Sequence, residues 1–319
     1  MTATTLPAAT PPRRPWNFLK RWLGAVGLSG RALVIGAPAL WLTVFFLFPL
    51  LIVLQVSLSQ SAIAIPPYLP LITTDAKGTV QATLHLSNFL RLFQDNLYIL
   101  AYLNSIKIAF ISTVFALLIG YPIAYFIARA SDRWRNVLLM LIILPFWSSF
   151  LLRVYAWIGF LKNEGVINNF LEWIGLIHAP IPMIQTDFAV YVGIVYTYLP
   201  FMILPLYTNL VKLDESLLEA SADLGARPFR TFMTITLPLS IPGIVAGSML
   251  VFIPAIGEYV IPSLLGGPGT LMIGRVLFDE FFSNRDWPMA SSLAFAMLIV
   301  VVVPIMVLQN AQSAVVTRK

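Results

Sequence analysis

Six stretches of this chain are long enough, and poor enough in charge, to cross a lipid bilayer as helices. A spanning helix needs about 20 predominantly apolar residues, and runs of that size occur at residues 32–58, 99–127, 137–160, 188–211, 235–261 and 287–315. Only Lys107, Arg153 and Glu258 interrupt them. Prolines recur inside the runs (Pro38, Pro49, Pro122, Pro145, Pro205, Pro254, Pro304), which a bundle tolerates because neighbouring helices satisfy the freed backbone groups. Composition agrees: 59% of residues are hydrophobic and 11% charged, against about 25% charged in soluble domains. A soluble enzyme is excluded. The absence of cysteine also excludes a disulfide framework and thiolate metal or iron–sulfur sites. The fold expected is all-α, a polytopic membrane bundle of six transmembrane helices.

Lysine and arginine set the orientation. One side of the bundle would carry Arg13, Arg14, Lys20, Arg21, Arg31, Arg129, Arg133, Arg135, Lys212, Arg227, Arg230, Arg318 and Lys319, thirteen in all. The other would carry five: Lys77, Arg91, Lys162, Arg275 and Arg285. Both termini are therefore expected in the cytoplasm. The net charge of +6 reads as a topology signal and not as a nucleic-acid surface. Residues 1–31 form a cytoplasmic segment, partly disordered over a Pro/Thr/Ala-rich start. Residues 32–316 form the six-span domain, and 317–319 the tail. The first span reads as retained, since its apolar run far exceeds a signal peptide's core. The longest outer segment is 59–98, and residues 166–177 have the spacing of a helix lying along the interface.

The loop between spans four and five, residues 212–235, is the most informative. It and the start of span five read DESLLEASADLGARPFRTFMTITLP from Asp214 to Pro238. Asp214 is placed to cap a helix and Glu215 to favour its dipole. Gly225 is placed to end that helix in left-handed conformation, and Pro228 to open a second short helix. These residues resemble the loop signature of ABC-importer permeases (the EAA motif): Glu-Ala-Ala, three residues, Gly, nine residues, Ile-x-Leu-Pro. Here the pattern is Glu219-Ala220-Ser221, Gly225 and Ile235-Thr236-Leu237-Pro238. Ser221, in place of the second alanine, is the one departure. The resemblance implies a type I ABC importer permease with a coupling helix that docks on a cytoplasmic ATPase, with Glu219, Ala220, Ser221, Asp223, Gly225 and Arg227 as contact residues.

The ATPase must then be a separate chain. No G-x-x-x-x-G-K-[ST] phosphate loop occurs and no lysine follows a glycine. This chain would hold no cofactor, ATP and Mg²⁺ being bound by the partners, and would break no bond itself. No metal site is expected: His85 and His178 stand in separate outer loops.

Three features bear on cargo. Glu258 lies within the fifth apolar run, and an intramembrane carboxylate is costly and by default functional. It either lines the path, sits at the outer interface, or pairs with Arg153 or with another subunit. The outer loops hold eight carboxylates against five basic residues, which suits a cation, although the positive-inside rule leaves a similar residue. Aromatics crowd the outer ends of spans three and four: Trp147, Tyr155, Trp157, Tyr191, Tyr196 and Tyr198. They read either as a wall offering cation–π contacts or as an interfacial belt.

Residues 247–295, and with them 118–128, 150–170 and 190–207, closely resemble polyamine permeases, above all the putrescine-importer type. Ser263 departs from an acidic residue common there. The resemblance implies a substrate path for which Glu258, Tyr259, Tyr155, Trp157 and Tyr198 are candidates. Asp279, Glu280 and Asp286 are candidates for the outer mouth or for docking a binding protein. It also implies a second homologous permease, two ATP-binding subunits, an extracytoplasmic polyamine-binding protein, surrounding lipid, no nucleic acid, and a place in a bacterial inner membrane. The alternatives are a permease of the same class for another solute and an autonomous secondary transporter.

Overall fold

The computed structural model describes residues 30–74 and 80–316. The basic residues Arg13, Arg14, Lys20, Arg21, Arg318 and Lys319, the outer-loop Asp75 and Lys77, and the expected disorder of the first residues lie outside the described residues. The chain divides into two compact units, with the boundary between Val56 and Ser57.

The first unit holds one long apolar helix. Its parts are α1 (Gly30–Leu42), a π-helical turn (Thr43–Leu47) and α2 (Phe48–Ser57), and residues 34–57 have a mean hydropathy of 2.4. Pro49 cannot donate a hydrogen bond, and its ring crowds the carbonyl four residues back. The backbone widens just ahead of it, so that the Phe48 amide bonds to the Thr43 carbonyl five residues back. One extra residue in the turn relieves the proline.

The second unit begins with an outer segment containing a small antiparallel hairpin, β1 (Ile72–Thr74) with β2 (Val80–Ala82), in register Ile72 to Ala82. These are the only strands among the described residues, and the rest is helical. α3 (Ser87–Gln94) follows, and Asn88 donates through Nδ2 to the carbonyls of Ser57 and Ser59, each at 2.9 Å.

Three long helices form the centre: α4 (Asn96–Arg129), α8 (Asp187–Leu210) and α11 (Leu237–Ile256), each packed on the other two. In lipid, apolar area gives little drive for such association, so close backbone approach has to supply it. Gly247 permits it, since a Cβ there would lie 3.0 Å from the Met202 carbonyl oxygen. A Cβ at Gly243 would lie 2.8 Å from Cβ of Asn209. Met202, Ile203, Leu206 and Val251 fill the seam and are buried.

Two of the expected spans differ from straight helices. The run at 137–160 is α5 (Asp132–Ile143), a 3₁₀ turn (Leu144–Trp147) and α6 (Phe150–Leu161). The helical pair Asp132–Trp147 and Phe150–Trp173 bends by 92°. Pro145 removes an amide there, and Ser148 returns both its amide (3.2 Å) and its hydroxyl (2.7 Å) to the Pro145 carbonyl, which ends the helix. α7 (Val166–Trp173) is the expected interfacial helix, its Trp173 exposed.

The run at 235–261 is corrected at both ends. It starts earlier, because α10 (Pro228–Thr231) passes through a π-helical turn (Phe232–Thr236) directly into α11. It stops at Ile256, and after a break α12 (Val260–Leu265) follows. α13 (Ile273–Phe278), a further π-helical turn (Asp279–Ser283) and α14 (Trp287–Val316) complete the chain. Among the described residues, four helices are long and apolar enough to span, the bent pair could supply a fifth crossing, and α14 holds a shorter apolar stretch.

Candidate functional site

The loop between α8 and α11 folds as its residues dictate. Asp214 caps α9 (Glu215–Asp223), its Oδ1 accepting the Ser216 amide at 3.0 Å. That hydrogen bond holds the Asp214 carboxyl below the usual carboxylate range. At the other end Gly225 takes φ +77°. Its amide bonds to the Ala222 carbonyl (2.8 Å), and the Ala226 amide reaches the Ser221 carbonyl (3.1 Å). This is the paired closure that a left-handed residue permits. Arg227 caps α10, with Pro228 in its first turn.

Of the six contact candidates, Glu219, Ala220, Asp223, Gly225 and Arg227 are exposed on this helical hairpin. Ser221 is not. It is buried, and its Oγ lies 2.8 Å from Oγ1 of Thr231, so the one departure from the motif fastens α9 to α10. Around the exposed polar residues stand Leu224 at 88% and Phe229 at 72% exposure, an apolar surface that a cytoplasmic face does not need for solubility. The final Leu-Pro of the motif explains the π turn. The Leu237 amide bonds to the Phe232 carbonyl, so Pro238 is relieved as Pro49 is.

The break in the fifth span carries the second candidate site. Glu258 is 8% exposed. Its Oε2 accepts the Tyr198 hydroxyl at 2.5 Å, and its Oε1 accepts the amides of Val260 (3.1 Å) and Ile261 (3.4 Å). Three donors surround the carboxylate, and among the described residues no cation lies within ion-pair distance. Arg153 is engaged elsewhere, its guanidinium 5.3 Å from the Phe146 ring centroid and 5.9 Å from that of Phe150. α13 braces the break: the Ser105 hydroxyl of α4 accepts the Ile273 amide at 2.7 Å. A Cβ at Gly274 would lie 2.4 Å from the Gly257 carbonyl oxygen. Only glycine fits against that exposed backbone.

The structure joins Tyr198 to Glu258 but separates the other path candidates from it. Tyr259 stacks on Phe278, centroids 4.0 Å apart. Trp157 meets Tyr196 edge to face at 5.3 Å, and both line an apolar cavity of about 730 Å³ with Phe115, Phe188, Tyr191 and Leu199. Neither Tyr198 nor Glu258 lines that cavity. Tyr155 is exposed on α6.

At the outer end, Glu280 accepts the Tyr98 hydroxyl (2.8 Å) and the Asn284 amide group (3.0 Å). Asp286 caps α14 through the Met289 amide (3.1 Å), with Arg91 at 3.8 Å. Both therefore have structural duties, and Asp279 lies partly exposed in the π turn beside them. Among the described residues no group of three His, Cys, Asp or Glu side chains could hold a metal ion.

Residues 116–319 match the model of the family described as "Binding-protein-dependent transport system inner membrane component". The chain is 40% identical over 260 residues to the spermidine/putrescine transport system permease protein PotB of Escherichia coli K12, covering 82% of this chain and 90% of that one. It is 39% identical over 271 residues to the protein of the same name in Haemophilus influenzae, covering 85% and 90%. Among solved structures it resembles a chain of a bacterial ABC transporter that imports the acidic polysaccharide alginate. There the TM-score is 0.66 at 19% identity, with 96% of this chain and 100% of that one covered. A second structure of the alginate transporter, in complex with a pentasaccharide-bound periplasmic protein, matches equally well in shape, with a TM-score of 0.66 at 18% identity.

Proposed function

Because the chain belongs to the family of binding-protein-dependent transport system inner membrane components, we propose that it is one of two permease subunits of an ATP-driven polyamine importer. The observation that carries the cargo is its sequence likeness, across most of its length, to relatives named for spermidine and putrescine transport. The chain is a multi-pass membrane protein. In this reading both termini face the cytoplasm, because the inner loops hold the lysine and arginine excess. Two separate ATPase subunits hold ATP and Mg²⁺, a homologous permease forms the other half of the pore, and an extracytoplasmic binding protein delivers cargo.

Chemistry supports the cargo. A polyamine is a chain of methylenes ending in ammonium groups, so its path needs a carboxylate without a fixed cation. Glu258 meets that description. It also lies just past the C-terminal end of α11, where exposed carbonyls favour positive charge. Neighbouring Ser263 turns its hydroxyl to the Val260 carbonyl at 2.9 Å, so at this turn Glu258 has no second carboxylate for the far end of a longer polyamine. Putrescine, with fewer amines, suits it better. Coupling follows from the hairpin of α9 and α10. The exposed Glu219, Asp223 and Arg227, with Leu224 and Phe229, form the face that docks on the ATPase. A closing ATPase pair then pushes α8 and α11 together.

The test is uptake of labelled putrescine and spermidine by proteoliposomes holding the full complex, with ATP or a non-hydrolysable analogue. Uptake of either amine that requires hydrolysis is expected. Transport of some other solute in place of both would overturn the cargo, and uptake without hydrolysis would overturn the coupling.

A further inference from the structure

We infer that Arg129 and Glu215 form a second transmission link from the coupling loop into the membrane, one that reaches span two. The inference rests on the reading of that loop as the ATPase docking element. By chain connectivity the loop moves only spans four and five, α8 and α11. Span two, α4, ends at Arg129, and there its Nη1 lies 2.8 Å from Oε1 of Glu215 in the first turn of α9.

The two ends of this pair are unequal. The Arg129 side chain is 21% exposed and that of Glu215 is 73% exposed. The Arg129 guanidinium lies over the Tyr125 ring, 5.6 Å from its centroid, and among the described residues its Nε and Nη2 are buried without an acceptor. Glu215 is therefore the one acceptor Arg129 holds. The end of α4 is itself fastened. Arg135 donates from Nη2 to the carbonyls of Ala128 (3.2 Å) and Ala130 (3.0 Å), and from Nη1 to Asp132 at 2.7 Å. Arg129 is thus a fixed post on a long helix, and Glu215 is the end that travels with the docking hairpin.

Two simpler explanations make different predictions. Glu215 would favour the dipole of α9 whatever stood opposite, and Arg129 would serve as an inner-loop charge with any partner. Neither requires the pair. Nor does stability, because an exposed ion pair contributes little of it. What the pair adds is a constraint on where the first turn of α9 sits relative to α4. Since α4 packs on both α8 and α11, a shift of the docking hairpin would move three helices of the pore in step.

The test uses the complete reconstituted complex with R129E, E215R, the double reversal, and the neutral variants R129Q and E215Q. The readouts are copurification of the ATPase and the stimulation of ATP hydrolysis by loaded binding protein. Each single variant is expected to keep the ATPase bound yet lose about fivefold or more of the stimulation, with the double reversal returning to within about twofold of wild type. Full stimulation in the single variants, loss of the ATPase itself, or a double variant as poor as the singles would each overturn the link. Should a reversal fail to assemble, R129Q and E215Q decide by the same criterion. Hydrolysis stimulation does not depend on which solute is carried. A wild-type complex that hydrolyses ATP but moves no polyamine would therefore sink the cargo reading and leave this one standing.

Discussion

The Tyr198 hydroxyl, from the middle of span four, closes on Oε2 of Glu258 at 2.5 Å across the break that ends span five. A carboxylate so placed satisfies its oxygens but not its charge. An arriving ammonium would have to displace the tyrosine or share the carboxylate with it.

Replacing Glu258 by Gln removes the charge while keeping most of the shape. Uptake of polyamine by the reconstituted complex is expected to fall by about tenfold or more, the scale of losing a charge-assisted hydrogen bond of roughly 1.5–3 kcal/mol. Assembly, read by copurification of the partners, should persist. Unchanged uptake would remove Glu258 from the path.

Tyr198→Phe leaves Oε2 buried without its donor, a cost of about 1–3 kcal/mol. If the tyrosine competes with cargo, the variant should bind amine more tightly and show a lower KM, while the detergent-solubilised protein melts at a lower temperature. A raised KM instead would make Tyr198 a cargo contact and not a competitor.

Gly225 has open space around its α-carbon, so a methyl group there meets no neighbour. The difficulty is only the backbone conformation at φ +77°, which costs an L-residue about 1–2 kcal/mol. Gly225→Ala should weaken transport partially, and Gly225→Pro should abolish it, since proline cannot reach that φ and lacks the amide that bonds to Ala222. Glu219→Lys should also abolish uptake, through lost docking. All three should still insert in the membrane. Normal uptake in the proline or lysine variant would show that this hairpin does not couple.

Ser221→Ala restores the motif residue and removes the bond to Thr231. A net loss of about 1 kcal/mol in loop stability is expected, with transport largely retained, measured as hydrogen exchange of residues 215–231 beside an uptake assay. Loss of transport would make the hydroxyl part of the docking face.

Asp214 titrates below its unfolded value of about 3.9, because its charged form accepts the Ser216 amide. A depressed folded value means that the cap contributes fully above the unfolded value and is lost as pH falls through the folded one. Amide protection in α9 should therefore decline on acidification below about pH 4. Asp214→Asn, which keeps a capping oxygen but no titrating group, should flatten that decline. A decline that survives in the Asn variant would assign it to another group.

Much of this was legible in the sequence because it depends on local chemistry. The apolar runs, the Asp214 cap, the left-handed Gly225 and Pro228 at a helix start all follow from residue type and spacing. The 92° bend in span three did not, because Pro145 is one of many prolines in apolar runs. Which one breaks a helix depends on whether neighbours satisfy the freed groups, as Ser148 does here. Tyr198 was visible only as one aromatic among several. Its bond to a residue sixty positions away is a product of packing. Arg129 was read as a topology charge, and nothing local marks Glu215 as its partner. The outer acids Glu280 and Asp286 looked free because hydrogen bonds from distant tyrosine and arginine side chains leave no trace in spacing.

The π turn ahead of Pro238 turns what looked like a loop and a span into a single shaft. From Pro228 to Ile256 there are 29 residues in continuous helix, about 44 Å at 1.5 Å per residue. A hinge at the membrane surface would have absorbed rotation and passed on only displacement. A shaft without a hinge carries torque as well. What turns the foot of this helix by some angle turns its head, and the Gly257 break with the carboxylate beyond it, by the same angle.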